Sequence, residues 1–128
     1  MMRALIEAIA DAWDVSAIGV ALHYGSIPEG AALPACTMNV ISNIPSEPGM
    51  CSVPEGVLVQ FSVYSDEPSV GECMDLRDKL RAAFDDVTLA IDDAAMVRGD
   101  WQNDIGPVAD PDEGWDCHID YRFVIQAV

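Results

Sequence analysis

The side chains best suited to proton transfer stand on alternate positions near the end of the chain: His118, Asp120 and Arg122. A period of two puts all three on one face of a β-strand. A histidine with an acid beside it is part of a general acid–base site, which also needs a nucleophile and donors for developing negative charge. The sequence places no serine or cysteine beside this trio, and cross-strand ion pairing accounts for the same residues. The expectation is therefore a polar strand face, with no catalytic residue and no cofactor site.

Two further constellations invite metal chemistry. Asp110-Pro-Asp-Glu-Gly-Trp-Asp116 crowds carboxylates as a cation loop does. Pro111 stiffens its second position, and the ligand rhythm and closing glutamate of the EF-hand are missing. An acidic turn leading into the last strand is the reading adopted, with weak Ca²⁺ or Mg²⁺ binding at Asp110–Asp116 as the alternative. The cysteines Cys36, Cys51, Cys73 and Cys117 contain no C-x-x-C pair of the kind zinc sites use. Cys36 and Cys117 fall on apolar strand faces and Cys73 on an apolar helix face, where a thiol packs as a small hydrophobe. No metal ligand is assigned. His23 stands alone beside a turn. There is no phosphate-binding glycine loop, no basic patch with interleaved aromatics and no membrane-seeking amphipathic helix.

The elements that must position these residues follow from periodicity. Leu5, Ile9, Ala12 and Trp13 predict a helix over Arg3–Trp13, with Arg3, Glu7 and Asp11 on its opposite face. A short extended piece, Val20–Tyr24, leads into Gly/Pro turns. Alternation predicts strands over Ala35–Ser42 and Val57–Ser65. The loop between them, Asn43–Gly56, is long, and Met50 and Cys51 have no obvious place in the core, which fits a contact loop and equally a floppy hairpin tip. Ser69 and Glu72 fit a capping box for a second helix, whose stripe is Cys73, Leu76, Leu80, Ala83, Phe84 and Val87. Arg77, Lys79 and Arg81 sit toward its C-terminal half. A short strand Thr88–Ile91, a turn at Asp92-Asp93, a segment Ala94–Trp101 and a loop Gln102–Asp112 follow. The last strand, Trp115–Gln126, turns Cys117, Ile119, Tyr121, Phe123 and Ile125 inward and His118, Asp120, Arg122, Val124 and Gln126 outward. The order α-β-β-α-β-β-β predicts a single α+β domain over residues 1–128, an antiparallel and possibly mixed sheet packed by two helices.

Composition sets the class. Apolar residues are 51% of 128, enough for a core. Glu7 and Asp11 interrupt what a secretory leader would need as its apolar centre, so the protein is expected inside the cell that makes it. Six basic residues face 22 acidic ones, giving a net charge of −16. Such a chain repels phosphate backbones, so Arg77, Lys79 and Arg81 are expected to neutralise acids of their own or an adjacent subunit and not to bind DNA.

The outline resembles the small tail-completion, or tail-terminator, proteins of long-tailed bacteriophages and related viruses. The resemblance spans nearly the whole chain in element order. It is sharpest in Tyr24-Gly-Ser-Ile-Pro-Glu-Gly30 with Leu33-Pro34, in Phe61-Ser-Val-Tyr-Ser65, and in Gly114-Trp115 with Ile119-Asp-Tyr-Arg-Phe123. The middle helix Val70–Phe84 and the short strand after it also match in place. The resemblance implies a structural protein of the virion, not an enzyme: a ring subunit, commonly one of six, that caps the head-proximal end of the tail tube and docks the head. Implied partners are further copies, the tail tube protein and a head-closure protein, with DNA passing through the lumen unbound and no membrane. Met50, Cys51, Arg77, Lys79 and Arg81 become the candidate contact residues. A head-closure or connector ring subunit is the alternative in the same class, and a small acidic host-takeover binding protein the alternative in another. The acidity fits a negative, DNA-conducting lumen, and equally a halophilic or marine host.

Overall fold

Leu5, Ile9 and Trp13 recur every fourth residue, and in the computed structural model they are the buried stripe of helix α1 (Met2–Asp14). The structure describes residues 2–44, 55–92, 95–110 and 114–127. Beyond α1 the Trp13 indole N–H donates to the Val20 carbonyl at 2.8 Å, which turns the chain back toward strand β1 (Leu22–Tyr24). A turn closes over Gly25, whose φ of +88° suits glycine and whose N–H donates to the Met38 carbonyl. The chain returns as β2 (Ala35–Ile44), parallel to β1, and continues into β3 (Glu55–Ser65). Helix α2 (Gly71–Phe84), then β4 (Thr88–Asp92), β5 (Ala95–Asp110) and β6 (Gly114–Ala127) complete the order.

The six strands form one sheet in the order β1-β2-β3-β6-β5-β4, antiparallel except at β1–β2. The α+β class, with a mixed sheet and two helices, is as the periodicity predicts; the extended piece before the Gly/Pro turns supplies the additional edge strand β1. Both helices lie on one face. There α2 contributes Cys73, Leu76, Leu80 and Phe84, and the strands contribute Cys36, Met38, Val57, Val59, Phe61, Val63, Val97, Cys117, Ile119, Tyr121 and Phe123. Phe61 is central, with ring centroids at 5.9 Å from Trp13, 5.1 Å from Phe84 and 5.9 Å from Tyr121.

Two expectations are corrected. The segment Ala94–Trp101 and the loop Gln102–Asp112 are mostly one long strand, β5. Its alternation is broken by irregularities between Trp101 and Asn103 and between Ile105 and Val108, so a period-two reading loses it. Pro107 is tolerated because β4 pairs only as far as Arg98, leaving this part of β5 an edge where the missing N–H forfeits no outer bond. The capping box is not formed either. Val70 is the N-cap and makes no side-chain cap bond. Glu72 instead accepts from the Ser65 hydroxyl at 2.7 Å, tying α2 to the end of β3, while the Ser69 hydroxyl accepts from Gly71 N–H.

Candidate assembly surfaces

Because strand partners share a face, the register defines what the helix-free side presents. Ser62 lies opposite His118 and Gln60 opposite Asp120. The Ser62 hydroxyl is 2.7 Å from His118 Nδ1, His118 Nε2 is 3.3 Å from Asp116, and Gln60 donates to Asp120 at 3.0 Å. The hydroxyl that the sequence did not place beside His118 is therefore present. Only the pairing of β3 with β6, invisible in a single sequence, brings it there. The triad-like set is a poor hydrolytic site. Ser62 is 3% exposed, and it stands mid-strand, where backbone N–H groups serve the ladder and do not converge as an oxyanion hole must. Asp120 and Arg122 are not joined to it as a site: Arg122 pairs in register with Asp100 and packs over Gly56. Arg98 reaches Asp100 at 3.1 Å. Acids Asp100, Asp116 and Asp120 thus interleave with Arg98, His118 and Arg122, so two of the chain's six basic residues stand on this face of a chain of charge −16.

The three basic residues of α2 have separate fates. Arg81 grips Asp85 at 2.9 Å, approaches Asp104 at 3.6 Å and stacks over Trp101 at 4.3 Å. Asp85 also accepts from the Tyr121 hydroxyl, and Trp101 donates to Asp104 at 2.7 Å. Burial and the Asp85 bond push the Tyr121 phenol above its ordinary range. Arg81 therefore fastens the end of α2 to β5 and β6 of its own chain. Among the described residues Arg77 reaches only Asp78, at 3.5 Å, and its Nε is buried without a hydrogen-bond partner. Lys79 is exposed and forms no ion pair among the described residues. Met50 and Cys51 lie outside the described residues, as do Pro111–Glu113 of the acidic turn.

Cys36, Cys73 and Cys117 are wholly buried free thiols. Register sets Cys36 and Cys117 on either side of Val63, and Cys73 reaches Cys117 from α2. The bond to Cys73 and burial both raise Cys117, and burial pushes Cys36 up to about 12. The hydrogen bond that raises Cys117 lowers Cys73, its partner. Among the described residues no group of three or more His, Cys, Asp or Glu side chains is arranged to hold a metal ion.

The most exposed large apolar side chains among the described residues are Val15, in the turn after α1, and Tyr24, in edge strand β1, ahead of Ile41, Val108 and Ile105. Among the described residues Val15 is 88% and Tyr24 59% exposed. Val15 borders a groove of about 700 Å³ between α1, α2 and β4, walled by Ala8, Ala12, Ala82, Ala83 and Leu89. Its charged residues are Asp11 and Lys79. Tyr24 stands at the other edge, in β1, beside the turn that carries exposed Glu29.

The family model described as tail completion protein gp17 matches residues 3–126 of this chain. No curated protein matches it in sequence. Among solved structures, a chain of the "Virion of native gene transfer agent (GTA) particle" is similar in fold, with a TM-score of 0.70 at 12% identity, over 94% of this chain and 93% of that one. No helix among the described residues is long and apolar enough to cross a membrane.

Proposed function

The chain belongs to the tail completion protein gp17 family, and from that membership we propose that residues 1–128 act as a one-domain subunit of a ring, built from six copies, that caps the head-proximal end of the tail tube. The chain is a structural protein of a phage-like tail. The finer reading is that the ring ends tube polymerisation, docks the head and lets DNA pass through its lumen without specific binding. No enzymatic role is assigned to it.

The observation that carries this reading is the family match itself, which runs through every described element from α1 to β6, residues 3–126. Two physical features support it. Both helices pack on one side of the sheet, and among the described residues the other face presents mainly polar side chains with exposed Ile105 and Val108 beside them. A net charge of −16 disfavours adhesion of DNA to the protein. The alternatives differ in measurable ways. A head-closure or connector ring would bind the neck and leave tube length unchanged, and a host-takeover factor would stay monomeric or dimeric.

The test is to add the purified protein to polymerising tail tube protein. The expected result is shorter tubes with this protein, located by gold labelling, at one end only. Tubes of unchanged length with no label at either end would overturn the proposal.

A further inference from the structure

Among the described residues two surfaces have no partner within the monomer, and they lie toward opposite edges of one sheet. At the β4 edge is the groove between α1, α2 and β4, walled mainly by alanines and bordered by Val15. At the β1 edge is Tyr24, on the face that its register partner Met38 shares with the helices. The groove is concave and narrow because its walls are small side chains. Tyr24 is a rigid aromatic body with a polar tip, the type of side chain that anchors contacts when it enters a pocket.

The groove carries one base on its α2 wall and one acid, Asp11, on its α1 wall, and the turn beside Tyr24 carries the acid Glu29. Lys79, the chain's one lysine, lines the groove. Glu29 lies on the turn that follows Tyr24. That turn is fixed by Gly25 N–H donating to Met38 at 3.0 Å and by the Asn39 side chain donating to the Gly25 carbonyl at 3.2 Å. Neither Glu29 nor Lys79 has an ion-pair partner among the described residues. Asp11, on the α1 wall of the same groove, repels an incoming acid, so Glu29 is directed to the α2 wall where Lys79 stands.

We propose that Tyr24 of one subunit enters the α1–α2–β4 groove of the next copy, with Glu29 facing that copy's Lys79. The contact is heterologous: each subunit gives one edge and receives on the other, which is the geometry that closes a ring. It rests on the ring reading above and names the surface through which the ring forms. It also gives Lys79 a role distinct from that of Arg81, whose guanidinium is occupied within its own chain.

The test uses the full chain and sedimentation velocity over a concentration series, with far-UV circular dichroism to verify folding. All substituted positions are exposed, so the fold is expected to be retained. Tyr24→Ala is expected to weaken self-association by about 30-fold or more, the loss typical of an aromatic anchor. Lys79→Glu and Glu29→Lys are each expected to weaken it about 5- to 10-fold, as like charges then meet. The double variant Glu29→Lys/Lys79→Glu is expected to recover most of that loss. Wild-type rings combined with unaffected single variants, or a double variant no better than either single, would overturn the contact and leave the ring reading standing. Normal assembly of Lys79→Glu with failure to cap tubes would assign the groove to the tube protein and also overturn the contact. A wild type that stays monomeric at every concentration and salt, with and without tube protein, would overturn both.

Discussion

On the helix-covered face of the sheet Phe61 stacks among Trp13, Phe84, Tyr121 and Phe123, all with ring centroids within 6.5 Å. On the opposite face of the same strand, Gln60 and Ser62 hydrogen-bond to Asp120 and His118. One face is held by packing, which is intolerant of changes in volume. The other is held by cross-strand polar pairs, each worth little and replaceable by water. The difference explains how a chain of charge −16 folds: its stability resides where the charges are not.

The comparison is broken first at its strongest point. Phe61→Ala, which empties the centre of the aromatic cluster, is expected to cost about 3–5 kcal/mol. Ser62→Ala, the neighbouring residue on the other face, is expected to cost about 1 kcal/mol. Urea unfolding of both variants measures the contrast. Equal losses would mean that the two faces contribute alike.

The glycines sharpen the same contrast. A β-carbon on Gly99 would meet Val87 at 2.9 Å and Phe123 and the Phe84 carbonyl at 3.1 Å. On Gly56 the nearest atoms it would meet belong to the Arg122 guanidinium, whose Nε is buried without a hydrogen-bond partner among the described residues and so loses nothing by moving. Gly99→Ala is expected to destabilise by about 1–3 kcal/mol through overpacking. Gly56→Ala is expected to cost under about 1 kcal/mol, because the arginine swings toward solvent and alanine restricts the unfolded chain. Thermal melts at matched protein concentration distinguish them.

Alkaline pH acts on the covered face. Burial, with the neighbouring Cys73 second, holds the Cys36 thiol up to about 12 in the folded chain, while an unfolded thiol ionises near ~8.5. Above about pH 8.5 the unfolded state releases a proton that the folded state keeps, so stability falls as pH climbs toward 12. Cys36→Ala is expected to lose stability less steeply over that range, whatever its starting value. An unchanged slope in denaturation curves between pH 8 and 11 would contradict this.

Much of the covered face was legible in the sequence. Leu5, Ile9 and Trp13 kept a helical period, and Cys117 to Phe123 a strict alternation, because one environment acts on every second or fourth side chain. The polar face was legible only as polar. That Ser62 meets His118 depends on which strands pair, and one sequence does not carry the register. β5 was missed because its two irregularities reset the alternation that defines a strand. The capping box failed because Ser65, at the end of β3, took the Glu72 carboxylate. Among the candidate contact residues, Arg81 turned inward once Asp104 and Trp101 were brought beside it by β5, the strand that the sequence hid.

Salt has the smallest expected effect on the fold and a readable one on assembly. Raising ionic strength shortens the reach of repulsion from ~10 Å at 0.1 M to ~3 Å at 1 M. One Glu29–Lys79 pair is weakened by this, but the repulsion among 22 carboxylates per subunit is weakened more. Self-association is therefore expected to strengthen with salt, as light scattering would report. Dissociation at 1 M salt would mean that opposite charges dominate the interface.

The most direct test of a ring that ends tail growth is the length of tails made without it. Particles assembled from a genome carrying an in-frame deletion of this protein should show filled heads apart from overlong, headless tails in electron micrographs. Headless tails of normal, uniform length, or normal tails joined to heads, would contradict it.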